Sequence, residues 1–249
     1  MIIIKNHEEI ALMKKAGRIV GETLLLLAEE VKPGVTTAYL DRMAEEFITK
    51  HGAKPSFKGL YGFPSSLCIS VNEQVIHGFP GAYVLKEGDI VSIDCGAFIN
   101  GFHGDAARTF PVGNISVDAQ RLIDITRESF FEGIIFAGEG NKLNDISCAI
   151  QSYVEASGFS VVRDFVGHGI GRKVHEEPNV PNFGKIGKSP KLLEGMVLAI
   201  EPMVNAGTYK VKTLKDRWTV VTVDSSLSAH YENTVAILSN GPEILTLIK

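Results

Sequence analysis

Residues 94 to 105 read Asp94-Cys-Gly-Ala-Phe-Ile-Asn-Gly-Phe-His-Gly-Asp105. The Asn100-Gly101 pair predicts a two-residue β-turn, because Asn and Gly both tolerate the positive φ angles of a type I′ turn. A β-branched run from Ile90 to Ile93 leads into the turn, and the residues after Asp105 can return as the antiparallel partner. The sequence therefore predicts a β-hairpin centred on Asn100-Gly101.

The predicted hairpin places two carboxylates on one face. Asp94 would lie opposite Ala107, which makes Asp105 its diagonal neighbour, and side chains alternate along a strand. Two carboxylates on one face of an apolar hairpin repel each other unless a proton or a cation lies between them. The hairpin thus indicates a site for a cation.

The composition is that of an ordinary globular protein. The chain has 249 residues, 45% hydrophobic and 22% charged, which is enough for one large domain or two small ones. A net charge of −4 gives no reason to expect nucleic acid or an anionic membrane as a partner. Three scattered cysteines are too few for a disulfide framework and favour a reducing compartment.

The N-terminal sequence indicates a cytoplasmic location. Met-Ile-Ile-Ile-Lys-Asn-His-Glu-Glu reaches acidic residues too early for a signal peptide. The apolar run from Leu24 to Ala28 is far shorter than the ~20 residues needed to span a bilayer. We expect neither a membrane span nor a secreted protein.

The remaining pattern predicts two similar halves. In the first half, Asn6 with Glu9 caps a helix that ends at Lys32-Pro33-Gly34, and Thr36 or Thr37 caps a second helix that ends near His51-Gly52. A surface loop is then predicted at Lys54–Pro64, followed by strands at Leu67–Val71 and Val75–His77.

The second half repeats the order of helix, helix and strands. Helices are predicted at Val117–Ala137 and from a cap at Asn144 to Gly158, followed by strands at Phe159–Arg163, Met196–Val204, Trp218–Val223 and Glu232–Leu238. We therefore expect an α+β fold in a single domain, residues 1–249, with halves at about 1–116 and 117–249. Antiparallel sheets would pack together under the helices, with the site between the halves.

Three further residues could share a metal site with the aspartates. His168 lies in Gly167-His-Gly-Ile-Gly171, Glu201 ends an apolar strand before a proline, and Glu232 opens another strand. Carboxylates and imidazoles are the ligands that divalent cations prefer. Each residue alone also has a structural explanation, and Arg108 could neutralise Asp105. However, an unpartnered buried carboxylate costs several kcal/mol, which favours a metal site for the set as a whole.

The motifs around these residues carry a specific resemblance. They are His168-Gly-Ile-Gly-Arg172 with His175-Glu-Glu-Pro178, Glu201-Pro-Met-Val-Asn-Ala-Gly207, Trp218-Thr-Val, and Ser226-Leu-Ser-Ala-His-Tyr-Glu232. With the order Asp94, Asp105, His168, Glu201 and Glu232, the chain resembles the type I methionine aminopeptidases, which are pita-bread dinuclear metallopeptidases. The resemblance extends from about Ile4 to Leu247.

The resemblance implies a fold and a metal centre. It implies the pita-bread fold, in which the two halves are related by a pseudo-twofold axis, and two divalent ions, which could be Fe, Mn, Co or Zn. Asp105 and Glu232 would bridge the ions, Asp94 would complete one shell, and His168 and Glu201 the other. Glu201 would also act as the general base.

The resemblance also assigns residues around the substrate. His77 would contact the scissile amide nitrogen, and His175 would stabilise the oxyanion. The methionine side chain would bind among Leu60, Phe63, Cys68, His77 and Trp218. Phe57, Leu60 and Val174 depart from the residues common in well-known bacterial members, which leaves the outline of this pocket open. Asn72 and Ser228 could bind a structural monovalent cation.

The implied activity is removal of the initiator methionine from nascent proteins whose second residue is small. The partners would be the N-terminal methionine of nascent polypeptides and the ribosome, and we expect a monomer. One alternative is a proline-directed relative resembling aminopeptidase P or prolidase. Another is an inactive pita-bread binding module, which the complete set of five ligands disfavours.

Overall fold

The computed structural model describes residues 1–185, 187 and 189–247. Within these ranges the α-helices are α1 (His7–Glu30), α2 (Thr37–Lys50), α3 (Val117–Ile134) and α4 (Leu143–Ala156). The strands are β1 (Lys54–Pro55), β2 (Leu67–Val71), β3 (Gln74–Ile76), β4 (Ile90–Ile99), β5 (Phe102–Pro111), β6 (Ser160–Val161), β7 (Gly167–Gly169), β8 (Glu176–Val180), β9 (Val197–Ile200), β10 (Met203–Asn205), β11 (Val211–Thr213), β12 (Val220–Thr222), β13 (Ser228–His230), β14 (Asn233–Leu238) and β15 (Gly241–Ile244). The protein has the predicted α+β architecture.

The described strands pair antiparallel in four sheets. In the first sheet, β4 pairs with β5 along one edge and with β1 and β2 along the other. Two three-stranded sheets have the orders β13-β10-β6 and β11-β12-β3. The largest has the order β15-β14-β9-β7-β8.

The predicted hairpin is confirmed in position and register. Asn100 and Gly101 connect β4 to β5 with φ angles of 54° and 83°. Asp94 pairs with Ala107, and Gly96 pairs with Asp105. The two aspartates therefore lie diagonally on one face of the hairpin, as predicted.

The caps of the first two helices are also confirmed. The Asn6 side chain accepts a hydrogen bond from Glu9 N, and the Glu9 carboxylate accepts one from Asn6 N, which is a complete capping box. Thr36 caps α2 through its hydroxyl, which accepts from Tyr39 N. Both helices therefore begin where their local capping chemistry places them.

The predicted cap of α4 was wrong by two residues. The helix is preceded by Lys142, whose backbone N–H donates to the Asp145 carboxylate at 2.9 Å. Asn144 lies inside the first turn and donates from its side chain to Lys185 O. The helix ends at Ala156, and Gly158 follows with a φ of 84°. The carboxylate of Asp145, rather than Asn144, satisfies the free N–H at this end.

The prediction of a surface loop at Lys54–Pro64 was wrong in part. Its first two residues form β1 against Ala97 and Phe98 of β4. Phe57 and Phe63 are buried, because they pack against distant apolar residues. This segment contributes a wall of the cavity described below.

Several predicted strands differ in length or were missed. The predicted strand Met196–Val204 is divided into β9 and β10 at Glu201-Pro202, because proline cannot donate a ladder hydrogen bond. The predicted strand Phe159–Arg163 shortens to β6. Five short strands lacked a clear sequence signal, namely β7, β8, β11, β13 and β15.

Backbone contacts join the hairpin to the chain around β14. Ala107 N donates to Glu232 O at 3.3 Å, and Glu232 N donates to Ala107 O at 3.0 Å. On the other side, α1 packs so closely on β5 that a Cβ on Gly104 would lie 2.7 Å from Gly17 N. The hairpin is thus held between a helix and the residues that carry Glu232.

Among the helices that the structure describes, none combines the length and the apolar character needed to cross a lipid bilayer.

Candidate metal centre and active site

Five predicted ligands surround one cavity. Its volume is about 830 Å³. The ligands project into it from five different segments: Asp94 on β4, Asp105 on β5, His168 on β7, Glu201 directly after β9 and Glu232 directly before β14. The structure therefore brings together side chains that are up to 138 residues apart, from 94 to 232.

Local pairing explains how the carboxylates meet. The hairpin fixes Asp94 and Asp105 relative to each other. The exchange of backbone hydrogen bonds between Ala107 and Glu232 brings Glu232 beside that hairpin. Ile200 pairs with Asn233, so Glu201 and Glu232 lie at neighbouring ends of β9 and β14.

The orientation of His168 suits a metal ligand. Its Nδ1 lies 2.9 Å from Gly169 O, a contact that holds the proton on Nδ1. Its Nε2 then presents a lone pair toward Glu201 Oε1, 3.5 Å away. Burial and the neighbouring His175 lower the pKa of His168 to about 4, so the ring is neutral at physiological pH.

The carboxylates are held where ionisation is unfavourable. Burial raises the pKa of Asp94 to about 7. Burial, followed by the charges of neighbouring carboxylates, raises the pKa values of Asp105 and Glu232 well above their usual range. Burial and the charge of Asp94 do the same for Glu201. A bound cation would offset both causes at once.

The donor set fits divalent metal ions. Among the described residues, the buried side-chain atoms without a hydrogen-bond partner include Asp94 Oδ1, Asp105 Oδ1 and Glu232 Oε1. Two groups of residues each bring their donor atoms within 4.8 Å of one another. One group is Asp94, His230 and Glu232, and the other is Asp105, His168 and Glu232, so Glu232 belongs to both. Unpartnered buried oxygens beside a lone-pair nitrogen are the features expected of a metal site.

Two predicted catalytic histidines line the same cavity. His77 follows β3 with a φ of 58° and meets Phe165 edge-on, with ring centres 5.9 Å apart. His175 meets His168 edge-on at 4.5 Å. Burial and, next, the charge of His175 lower the pKa of His77 to about 4. Both imidazoles can therefore contact a molecule bound beside the carboxylates.

The predicted substrate-binding residues form one apolar wall. Leu60, Phe63, Cys68 and Trp218 all line the cavity. Phe63 lies at the centre of this wall, 5.2 Å from the ring of Trp218 and 5.2 Å from that of Phe79. Phe57 also lines the cavity, and Val174 packs in the same apolar cluster. An apolar surface beside buried carboxylates can bind an unbranched side chain.

Asn72 and Ser228 lie next to each other but do not line this cavity. Ser228 N donates to Asn72 O at 2.9 Å. Asn72 Nδ2 donates a hydrogen bond to Asp89 Oδ1, and Asn72 Oδ1 accepts one from Ile90 N. The Ser228 hydroxyl donates to Asn205 Oδ1. The side-chain polar groups of both residues therefore already have hydrogen-bond partners, and their role in binding a monovalent cation stays a prediction.

Arg108 does not neutralise Asp105 in the way considered from the sequence. Its guanidinium donates to Asn233 Oδ1 at 2.7 Å and to Ala107 O at 2.8 Å, and it lies over the Tyr231 ring at 4.2 Å. The arginine therefore supports the backbone behind the site, and its charge remains close to Glu232.

Sequence reasoning missed His230, whose Nε2 lies 3.8 Å from Glu232 Oε2. It also missed two aromatic residues of the cavity, Tyr61 and Phe165. The signal for His230 was its position two residues before a proposed ligand, which places both side chains on one face of an extended chain. Nothing local marked Tyr61 or Phe165.

Comparison with known proteins identifies the family. Residues 11–239 match the model of metallopeptidase family M24. The chain is 76% identical over 249 residues to a methionine aminopeptidase of Clostridium perfringens, with the whole of both chains covered. It also superposes on the crystal structure of a methionine aminopeptidase from Thermotoga maritima with a TM-score of 0.98, 46% identity and full coverage of both chains.

The chain belongs to the methionine aminopeptidases of metallopeptidase family M24.

This membership confirms the resemblance seen in the motifs, the pita-bread fold and the use of divalent metal. The proline-directed alternative is less similar. A prolidase from Pyrococcus furiosus has a TM-score of 0.81 and 25% identity, and the match covers 99% of this chain but 66% of that one. The comparison therefore favours the methionine aminopeptidases over the prolidases of the same family.

Proposed function

We propose that the protein removes the initiator methionine from nascent polypeptides whose second residue is small, with the help of two divalent metal ions. The observation that carries the proposal is the shared position of Glu232. It belongs to two groups of donor atoms, one with Asp94 and His230 and one with Asp105 and His168. A carboxylate common to two donor groups is what a dinuclear site requires.

The ligands divide between two ions in this proposal. Asp105 and Glu232 would bridge the ions, Asp94 would complete one shell, and His168 and Glu201 would complete the other. The metals would supply Lewis acidity that activates water and polarises the scissile carbonyl. The raised pKa of each carboxylate, caused chiefly by burial, supports cation binding, because a positive charge favours the ionised form.

Glu201 is the proposed general base. It lies at the end of β9, and Asn182 Nδ2 fixes its backbone by donating to Glu201 O at 2.9 Å. Its carboxylate faces the cavity near His168. From there it can take a proton from the attacking water and return it to the leaving amine.

The two other histidines have proposed roles on the substrate. His77 would hold the scissile amide nitrogen, and His175 would donate a hydrogen bond to the carbonyl oxygen as negative charge develops there. The stacking of Tyr61 against His175, at 5.9 Å between ring centres, supports a fixed orientation for that imidazole. A donor fixed in advance stabilises the transition state without reorganisation.

Specificity would come from the apolar wall of the cavity. The methionine side chain would lie against Phe63 and Trp218, with Leu60 and Cys68 beside it. A thioether is flexible and polarisable and makes favourable contacts with aromatic rings. Cys68 acts here as a small pocket residue, because burial and nearby carboxylates raise the pKa of its thiol well above the usual value.

The proposal also covers the identity of the metals, the cellular location, the oligomeric state, a monovalent cation and the domain division. The ions would be Fe, Mn, Co or Zn, since mixed carboxylate and imidazole sites bind all four. The protein would act in the cytoplasm as a monomer, with the ribosome as the source of its substrates. Asn72 and Ser228 would supply oxygens to a monovalent cation. The chain would form one domain with halves near 1–116 and 117–249.

Peptide hydrolysis tests the proposal. Purified protein loaded with Mn²⁺ or Co²⁺ should release methionine rapidly from Met-Ala-Ser and slowly from Met-Lys-Ser, and a chelator should stop release. An Ala-Pro-Ser peptide serves as the control for proline-directed cleavage. Equal rates on both methionine peptides, or faster cleavage of Ala-Pro-Ser, would contradict the proposal.

A further inference from the structure

His230 is a buried imidazole for which the proposed chemistry has no role. It lies at the end of β13, and its side chain is 2% exposed. Its Nε2 is among the buried atoms of the described residues that have no hydrogen-bond partner. Buried polar groups are almost always paired, so this nitrogen calls for a specific explanation.

The nitrogen is directed at two proposed ligands. His230 Nε2 lies 3.9 Å from Glu201 Oε2 and 3.8 Å from Glu232 Oε2. His168 Nε2 approaches Glu201 through the other oxygen, Oε1, at 3.5 Å. The Glu201 carboxylate thus has one imidazole near each of its oxygens. Movement of about 1 Å would bring either oxygen into hydrogen-bond distance of His230.

The backbone of His230 is fixed to the metal-binding hairpin. Thr109 Oγ1 accepts from His230 N at 2.8 Å and donates to His230 O at 2.9 Å. The same hydroxyl lies 2.8 Å from Ser92 Oγ on the adjacent strand. The backbone of His230 is therefore held by the hairpin that carries Asp94 and Asp105.

We infer that His230 is a positioning residue for the metal centre. It donates its Nε2–H to the carboxylates of Glu201 and Glu232 and so holds their remaining oxygens toward the ions. The inference rests on the proposed function for the existence of the ions. Neighbours that orient metal-binding carboxylates in this way typically change metal affinity by 10- to 100-fold when they are removed.

Three variants test this role by Mn²⁺ titration of metal-free protein in a calorimeter. His230→Leu removes the donor and should weaken Mn²⁺ binding about 10- to 100-fold. His230→Gln retains an N–H donor and should bind within about threefold of the wild-type protein. His103→Leu is the matched control, because this half-buried imidazole contacts Ser56 Oγ at 2.8 Å instead of the carboxylates. Its Mn²⁺ affinity should match the wild-type value.

Kinetics provide a second readout. In the His230→Leu protein saturated with Mn²⁺, kcat for Met-Ala-Ser should fall while KM stays within about twofold, because the apolar wall is intact. Thermal melting establishes that each variant is folded. If His230→Leu does not fold, Thr109→Val replaces it, since loosening the backbone of His230 should also weaken Mn²⁺ binding.

The outcomes separate this inference from the proposed function. Mn²⁺ binding by folded His230→Leu at wild-type affinity would overturn the inference alone. X-ray absorption of the Co²⁺-loaded wild-type protein and His230→Leu tests direct coordination. Loss of one imidazole ligand in the variant would overturn the inference, because His230 would then bind metal directly. Failure of the wild-type protein to bind Mn²⁺ would overturn the proposed function as well.

Discussion

Thr234 holds the backbone of Asp105 on both sides. Its Oγ1 accepts from Asp105 N at 2.9 Å and donates to Asp105 O at 2.8 Å, although the two residues are 129 positions apart. Both residues are buried. This pair of bonds and the exchange between Ala107 and Glu232 fix the hairpin against β14. A proposed bridging carboxylate therefore depends on one hydroxyl from another sheet.

Replacement of Thr234 by valine should destabilise the protein and weaken metal binding. Valine keeps the shape but leaves the N–H and C=O of Asp105 unpaired in the interior, which should cost about 1–3 kcal/mol of unfolding free energy. Thr234→Ser keeps the hydroxyl and should lose much less. Urea denaturation measures both variants. Equal stability of Thr234→Val and the wild-type protein would show that the two bonds contribute nothing net.

Lys5 and Glu176 form a buried ion pair beside the active site. Lys5 Nζ lies 2.7 Å from Glu176 Oε2, and the side chains are 2% and 3% exposed. Lys5→Met should lower the free energy of unfolding by about 3–5 kcal/mol, because it leaves a buried carboxylate without its partner. Glu176 follows His175, so methionine release should also slow.

An exposed pair gives the matched control. Lys14 Nζ lies 2.7 Å from Glu243 Oε1, but these side chains are 48% and 38% exposed. Lys14→Met should change the unfolding free energy by about 0–1 kcal/mol. Chemical denaturation of both variants decides the question, and similar losses for Lys5→Met and Lys14→Met would contradict the predicted effect of burial.

Cys68 should not react as a nucleophile in the folded protein. Burial, followed by the charges of neighbouring carboxylates, raises the pKa values of Cys68 and Cys95 well above normal. Cys148 on α4 is the more exposed thiol. In the folded protein, iodoacetamide at pH 8 should therefore modify Cys148 alone. In protein unfolded by urea it should modify all three thiols, and mass spectrometry measures both results. Modification of folded Cys148→Ser protein at Cys68 would contradict this prediction.

His77 should make the stability of the metal-free protein depend on pH. Burial, followed by the charge of His175, lowers its pKa from 6.5 to about 4. Between these values the unfolded chain binds a proton that the folded chain does not, so stability is complete above pH 6.5 and falls as the pH decreases toward 4. Since the ring is partly exposed, we expect a loss of about 2 kcal/mol.

The His77→Gln protein isolates this contribution. Urea denaturation at pH 7.5 and pH 4.5 should give a smaller difference in unfolding free energy for the variant than for the wild-type protein, by about 2 kcal/mol. Titratable groups remote from His77 contribute equally in both proteins and cancel in the comparison, whereas His175 and His230 interact with His77 and contribute to the difference. An identical difference in the two proteins would mean that His77 is not buried as described.

Local chemistry made the relative position of two of the five proposed ligands predictable from the sequence. Asn100-Gly101 fixes the turn, and alternation along the two strands then places Asp94 and Asp105 on one face. The capping box of Asn6 and Glu9 predicted the start of α1 for the same reason. In both cases the determining contacts lie within a few residues of one another.

Contacts between distant segments account for the strands and the buried residues that the sequence did not predict. His168 lies on β7, a strand of three residues with glycine on both sides and no β-branched residue. The segment forms a strand because His168 pairs with Asn179 on one side and with Ala199 on the other. Phe57 was assigned to a surface loop but packs in one cluster with Val174, more than a hundred positions away. No local pattern contains such information.

The metal content of the protein, measured together with its activity, tests the central claim most directly. Wild-type protein and Glu201→Gln are loaded with Mn²⁺, freed of excess ion, and assayed in parallel by elemental analysis and for methionine release from Met-Ala-Ser. We expect two ions per wild-type chain with rapid release, and loss of release in Glu201→Gln. A wild-type chain that holds no metal under any loading condition, or one whose methionine release persists in Glu201→Gln, would contradict the account.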